Sequence, residues 1–165
     1  MKIHSGALVG ETELLEEVRE RRRRGESIVI ANGCFDILHV GHIRYLKEAA
    51  KLGDFLIVAI NSDKSVYALK GRGRPVFGEK ARSVLISALP GVSAVVIFSD
   101  TTLDRLIAHI KPDIQAKGTD YTEESVPERE TVLACGGKVM ICGDPKDHST
   151  RYVIDDILSG KQEEK

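Results

Sequence analysis

The 165-residue sequence has no excess of charge of either sign: 24 lysines and arginines stand against 25 aspartates and glutamates, for a formal net charge of -1. A protein whose main partner is nucleic acid carries a basic footprint, and that balance argues against one. Cysteine is scarce. Cys34, Cys135 and Cys142 lack the even count and regular spacing of a secreted disulfide framework. No apolar stretch approaches the roughly 20 residues needed to span a bilayer, and the first residues show no basic segment leading into an apolar one. These absences set the expectation of a soluble protein of the reducing cytoplasm, with neither nucleic acid nor membrane as partner. Two nucleotide-binding signatures are missing as well. No GxGxxG follows the first strand, and neither GxxxxGKS nor GxxxxGKT occurs anywhere, which disfavours dehydrogenases and P-loop phosphotransferases.

What is present is a regular alternation. Residues 11–24, "ETELLEEVRERRRR", place Leu14, Leu15 and Val18 at helical spacing and end in basic residues, as a helix C-terminus does. The interleaved Glu16, Glu17 and Glu20 make the Arg21–Arg24 run a solvated helix end. Short apolar runs follow at 27–32 (SIVIAN), 55–60 (FLIVAI), 94–98 (AVVIF), 113–117 (DIQAK) and 138–142 (KVMIC), each suited to a buried parallel strand. Helical stretches separate them near 40–51, 62–69, 79–89, 102–109 and 126–135, with a last one near 150–158. Parallel neighbours require crossovers, so the pattern predicts an α/β fold of Rossmann-like kind: a five-stranded parallel sheet with helices on both faces. The length suits one domain, 1–165, with an entry helix at about 11–24 and a polar tail at about 159–165.

In such sheets ligands bind beyond the carboxyl ends of the strands, which directs attention to the loops there. These are "GCFDILHVGH" after the first strand, "NSD" after the second, "KGTDY" after the fourth and "GDPKDHST" after the fifth. A helix starting near Val40 would aim free N–H groups at an anion, with His39 and His42 projecting from the same side of its first turn. Gly41 removes a side chain where phosphate must approach, and Gly33 is expected to let a nucleotide lie against bare backbone. Two other readings of the pair are that the histidines merely cap the helix, or that Asp36, His39 and His42 ligate a metal; the positive potential of a helix N-terminus favours phosphate over a naked cation. Cys34 reads either as an activated nucleophile or as a small buried side chain.

These residues resemble the HxGH nucleotidylyltransferases, with "HVGH" at 39–42. The class I tRNA synthetases share a similar short motif, but this chain is too short for their further domains and has no KMSKS-like segment. "ANGCFDILHVGH", "KLGDFLIVAINSD", "LKGRGRP" and "KGTDY" are similar to the adenylyltransferase domain of bacterial D-glycero-β-D-manno-heptose 1-phosphate adenylyltransferases, over roughly residues 11–158. The resemblance implies transfer of AMP from ATP to heptose 1-phosphate by direct in-line displacement, giving ADP-heptose for lipopolysaccharide and pyrophosphate, with Mg²⁺ accompanying the triphosphate. It implies that His39 and His42 are catalytic, and that they bind nucleotide together with Gly33, Cys34, Phe35, Gly41, Gly118, Asp120, Ser149 and Thr150. Asn61, Asp63, Lys70, Arg72, Arg74, Arg82 and Tyr121 are the implied phosphate and substrate ligands, and Asp36 an implied magnesium contact. Relatives suggest a homodimer or larger assembly. Two readings stand beside this one: a cytidylyltransferase acting on glycerol 3-phosphate or another small alcohol phosphate, and a nucleotide-binding sensor without turnover. The departures "GDPKDHST" and Arg151 set Asp147, His148 and their neighbours apart from the family pattern.

Overall fold

The computed structural model describes residues 6–144 and 150–159. Its centre is a parallel sheet in the order β1-β4-β3-β2-β5-β6, formed by β1 (Ala7–Leu8), β2 (Ile28–Gly33), β3 (Phe55–Asn61), β4 (Ala94–Phe98), β5 (Ile114–Gly118) and β6 (Lys138–Cys142). The helices are α1 (Glu11–Arg23), α2 (Val40–Ala49), α3 (Asp63–Lys70), α4 (Glu79–Ser87), α5 (Asp104–Ile110), α6 (Arg129–Ala134) and α7 (Thr150–Ser159), with a short 3-10 turn at Glu123–Ser125. The α/β class is as expected, but the sheet has six strands instead of five. The extra strand is β1, whose Ala7 and Leu8 pair with Ala94 and Val95 of β4. Two residues at an edge, one of them half-exposed, leave no periodic signal to read.

All seven residues of β3 are buried, because the strand has a neighbour on each edge and helices on each face. Alternation then sends Ile28, Ile30, Phe55, Ile57 and Val96 into one core with Leu14, Val18, Leu106 and Ile107 of α1 and α5. Val29, Ala31, Leu56, Val58 and Val95 enter a second core with Tyr45, Leu46 and Ala49 of α2 and Ile86 of α4. Each fully buried Val, Leu or Ile contributes about 1.5–3 kcal/mol relative to exposure, so two cores of this size hold the sheet between its helix layers. No helix among the described residues is long and apolar enough to cross a membrane.

The chain runs outward from β2 through β3 to β4, then returns to the other side of β2 for β5 and β6. Strand order therefore reverses at the β2–β5 pair, and a crevice opens at the carboxyl ends there. The pairing shows where it opens. β2 stays in register with β3 as far as Gly33↔Ile60, but its pairing with β5 stops at Ala31↔Ala116.

Candidate active site

The crevice is a cleft of about 1160 Å³ lined from both sides of the switch point. It takes in Gly33–Asp36, His39 and His42 from the β2 side, Lys117–Tyr121 from the β5 side, and Lys70 and Arg74 from the basic loop. A smaller cavity of about 410 Å³ lies between α1, α5 and the segments that enter β5 and β6, at the amino ends of those strands.

The histidine pair sits where α2 begins. His39 is the N-cap, with extended backbone (φ -135°, ψ 171°), and His42 is one turn on. Their rings stack with centroids 3.8 Å apart. The backbone N–H of His39 donates to Nδ1 of His42 at 3.4 Å, which makes Nδ1 the acceptor and puts the proton of the neutral ring on Nε2. Burial first, then His39 and Lys70, push His42 down to about 3. The imidazole is therefore neutral near pH 7 in the unliganded cleft and acts as an oriented N–H donor. The edge of Phe35 holds it from the other side, with ring centroids 5.2 Å apart.

Phe35 has φ 46°, a left-handed backbone that only tight surroundings sustain in a bulky residue. Its ring corrects one expectation. A Cβ on Gly33 would stand 3.1 Å from the Phe35 ring, so the space that the missing side chain leaves is filled by Phe35. Bare backbone facing open space is found instead at Gly118, where a Cβ would meet nothing within 4 Å.

Three other expected ligands serve as anchors. Arg82 is fully buried; it donates to the carbonyls of Phe77 at 2.9 Å and Cys34 at 2.6 Å and to the Asp63 carboxylate at 2.8 Å. The helical spacing of the buried Arg82, Ser83 and Ile86 turns this guanidinium inward, so it joins the HVGH loop, α3 and the basic loop and does not face the cleft. Asp63, its partner, is likewise outside the cleft lining. Asp36 is buried and accepts from Arg74 Nε, from the Val76 N–H at 2.7 Å and from the Phe77 N–H at 3.3 Å. Both its oxygens hold the loop, so in the unliganded cleft Asp36 acts as an anchor, and among the described residues no group of three His, Cys, Asp or Glu is placed to hold a metal ion.

Lys70 and Arg74 line the cleft, whereas Arg72 does not. Asn61 lines it too, but its amide donates to Ser65 Oγ at 2.9 Å and its Oδ1 accepts from the Cys34 thiol at 3.7 Å. Burial raises the Cys34 pKa, which opposes formation of a thiolate and favours the packing reading over the nucleophile. Gly41, Asp120 and Tyr121 all lie on the cleft wall. Ser149, with Asp147 and His148, lies outside the described residues; Thr150 starts α7, and its side chain is outside them as well.

The sequence reading missed the floor between β2 and β5. Lys117 and Glu128, at 5% and 3% exposure, form an ion pair at 3.3 Å, and Asn32 and Gln115 join them. Polar residues at 115 and 117 alternate with Ala116 in an otherwise apolar buried strand, and that was the available signal.

Comparison with known proteins gives one direction. A family profile described as cytidylyltransferase-like matches residues 30–155. The bifunctional protein HldE of Photobacterium profundum is 48% identical over 154 residues, 93% of this chain and 32% of that protein. The HldE protein of Desulfatibacillum aliphaticivorans is 44% identical over 149 residues, 90% of this chain and 30% of that one. The chain thus spans about a third of the length of the curated relatives it matches. Among solved structures, the lipopolysaccharide core biosynthesis protein from Thermoplasma volcanium superposes with a TM-score of 0.63 at 33% identity, covering 74% of this chain and all of that one.

Proposed function

The chain belongs to the cytidylyltransferase-like family and is a nucleotidyltransferase, and from that premise we propose that it transfers AMP from ATP to D-glycero-β-D-manno-heptose 1-phosphate. The acceptor phosphate oxygen attacks the α-phosphorus in line, the bond to the β-phosphate oxygen breaks, and pyrophosphate leaves. No protein nucleophile is needed, so rate comes from alignment and from donors aimed at charge that develops on the transferring group.

One observation carries the reading: two stacked imidazoles at the amino end of α2, one with its tautomer fixed by a backbone N–H, in the cleft at the switch point. In that position the Nε2–H of His42 and the first-turn N–H groups of α2 donate to phosphate oxygens. Lys70 and Arg74 add positive charge from the basic loop, which Asp36 and Arg82 hold in place. Gly118 lets the nucleoside approach β5 closely. Magnesium enters with the triphosphate as part of the substrate, on phosphate oxygens. A homodimer or larger assembly belongs to the same reading, supported by the exposed apolar side chains Tyr67, Leu69, Val84 and Leu85 on α3 and α4.

Pyrophosphate release tests the reading when ATP and CTP are crossed with heptose 1-phosphate and glycerol 3-phosphate. Release with ATP that depends on heptose 1-phosphate is expected. Release only with CTP and glycerol 3-phosphate would make the protein a cytidylyltransferase for a small alcohol phosphate. Nucleotide binding with no release from either acceptor would make it a sensor.

A further inference from the structure

The buried polar floor of the cleft has an orientation. Asn32 is the last residue of β2 before Gly33, just past the point where β2 and β5 cease to pair. Its carboxamide oxygen accepts from Lys117 Nζ at 3.0 Å and from Gln115 Nε2 at 3.4 Å. Gln115 Nε2 and Lys117 Nζ both reach Glu128 Oε2, at 3.1 and 3.3 Å, and Glu128 Oε1 accepts from the Leu103 N–H at 3.3 Å. Every strong donor on this floor therefore converges on the oxygen side of Asn32 or on Glu128.

A carboxamide is planar, with its oxygen and nitrogen on opposite branches. With the oxygen held by an ammonium and an amide, the NH₂ group is turned the other way, and Asn32 lines the cleft. Among the described residues no side-chain or backbone acceptor is hydrogen-bonded to those two N–H groups. A flipped amide would set its NH₂ against the Lys117 ammonium and is excluded by charge. The ammonium is itself fixed: besides Glu128 and Asn32 it faces the Tyr121 ring at 5.0 Å from the centroid. This is a built donor site beside the loop that carries HVGH, and the reading of that loop as a phosphate site leaves it without a role.

We infer that Asn32 contacts the acceptor substrate, donating its amide N–H groups to an oxygen of a phosphorylated polyol, and that Lys117, Gln115 and Glu128 are positioning residues that fix its direction. The chemistry selects for oxygen-rich acceptors, because the amide presents only N–H donors to the cleft. The inference rests on the proposed nucleotidyl transfer to a sugar phosphate and names the acceptor side of that same cleft.

Steady-state kinetics on the full chain test it, with ATP and heptose 1-phosphate varied in turn. Asn32→Ala is expected to raise the KM for heptose 1-phosphate about tenfold, the equivalent of one hydrogen bond, while the KM for ATP stays within about twofold. Asn32→Asp raises it further, since a carboxylate repels the acceptor phosphate. Lys117→Met also raises the acceptor KM, but adds nothing in the Asn32→Ala background, because it acts through Asn32. Thermal melting of the unliganded variants reports folding; if Lys117→Met does not fold, Asn32→Ala against Asn32→Asp carries the test. Equal effects of Asn32→Ala on both substrates, no effect on either, or additive effects of the two substitutions would overturn the inference. A wild type inert with heptose 1-phosphate but active with CTP and glycerol 3-phosphate defeats the substrate assignment alone, and the same KM ratios measured with glycerol 3-phosphate then judge Asn32.

Discussion

The two walls of the cleft are built on different principles. On the α2 side the functional groups are close in sequence: His39 and His42 are three residues apart, and one backbone N–H sets the tautomer of the second ring. On the β5 side, Asn32, Gln115, Lys117 and Glu128 come from three separate segments and meet only because β2 and β5 are neighbours at the switch point. On the first wall His42 is a neutral donor; the second is a buried charge pair beneath one amide. A local motif places groups for charge that appears during reaction, whereas a long-range network fixes a direction beforehand. On the proposed reading, chemistry belongs to the first wall and acceptor choice to the second.

Substitutions on the α2 side sharpen that division most. His42→Ala is expected to lower kcat about 10²–10³-fold, as loss of one preorganised donor to a developing oxyanion does, with much less change in ATP affinity. Equal loss in both would move His42 from chemistry to ground-state binding. Next comes the anchor behind the HVGH loop. Arg82→Ala leaves two carbonyls and the Asp63 carboxylate without their donor and is expected to cost about 2–3 kcal/mol; this is below the usual range for a broken buried pair because Asp63 is half-exposed. Urea unfolding measures it, and unchanged stability with a raised ATP KM would restore the phosphate role. Asp36→Asn is expected to reduce kcat/KM about tenfold, through loss of one charge-assisted hydrogen bond that holds the loop, with the apparent magnesium requirement unchanged. A shifted magnesium requirement would make Asp36 a metal contact after all.

The last effect is in acid. Below about pH 6.5 the unfolded chain protonates His42, while the folded chain resists doing so until about 3. Stability of the unliganded protein is therefore lost as pH falls through that window. His42→Asn should flatten the decline of Tm between pH 7 and 4, and an unchanged slope would mean that the ring is not buried as described.

The same contrast explains what could be read from sequence. Five strands and the seven helices of the described residues follow from apolar runs and helical spacing, since burial on two sheet faces imposes those periods over several residues. His39, Gly41 and His42 were legible because their geometry is local to one turn. Arg82 and Asp36 were expected as phosphate and magnesium ligands because the family resemblance implies those roles for them. Burial turned them inward, and burial of a single polar residue leaves no pattern in sequence. The Lys117–Glu128–Asn32 floor was illegible because strand order, which brings residues 32, 115, 117 and 128 together, is a property of the topology.

A structure of the protein with a non-hydrolysable ATP analogue tests the central claim most directly. The account predicts the α-phosphate within hydrogen-bonding distance of Nε2 of His42, with the base on the Gly118 side of the cleft. Nucleotide found in the cavity between α1 and α5, or bound in the cleft with the His42 ring turned away from its phosphates, would contradict it.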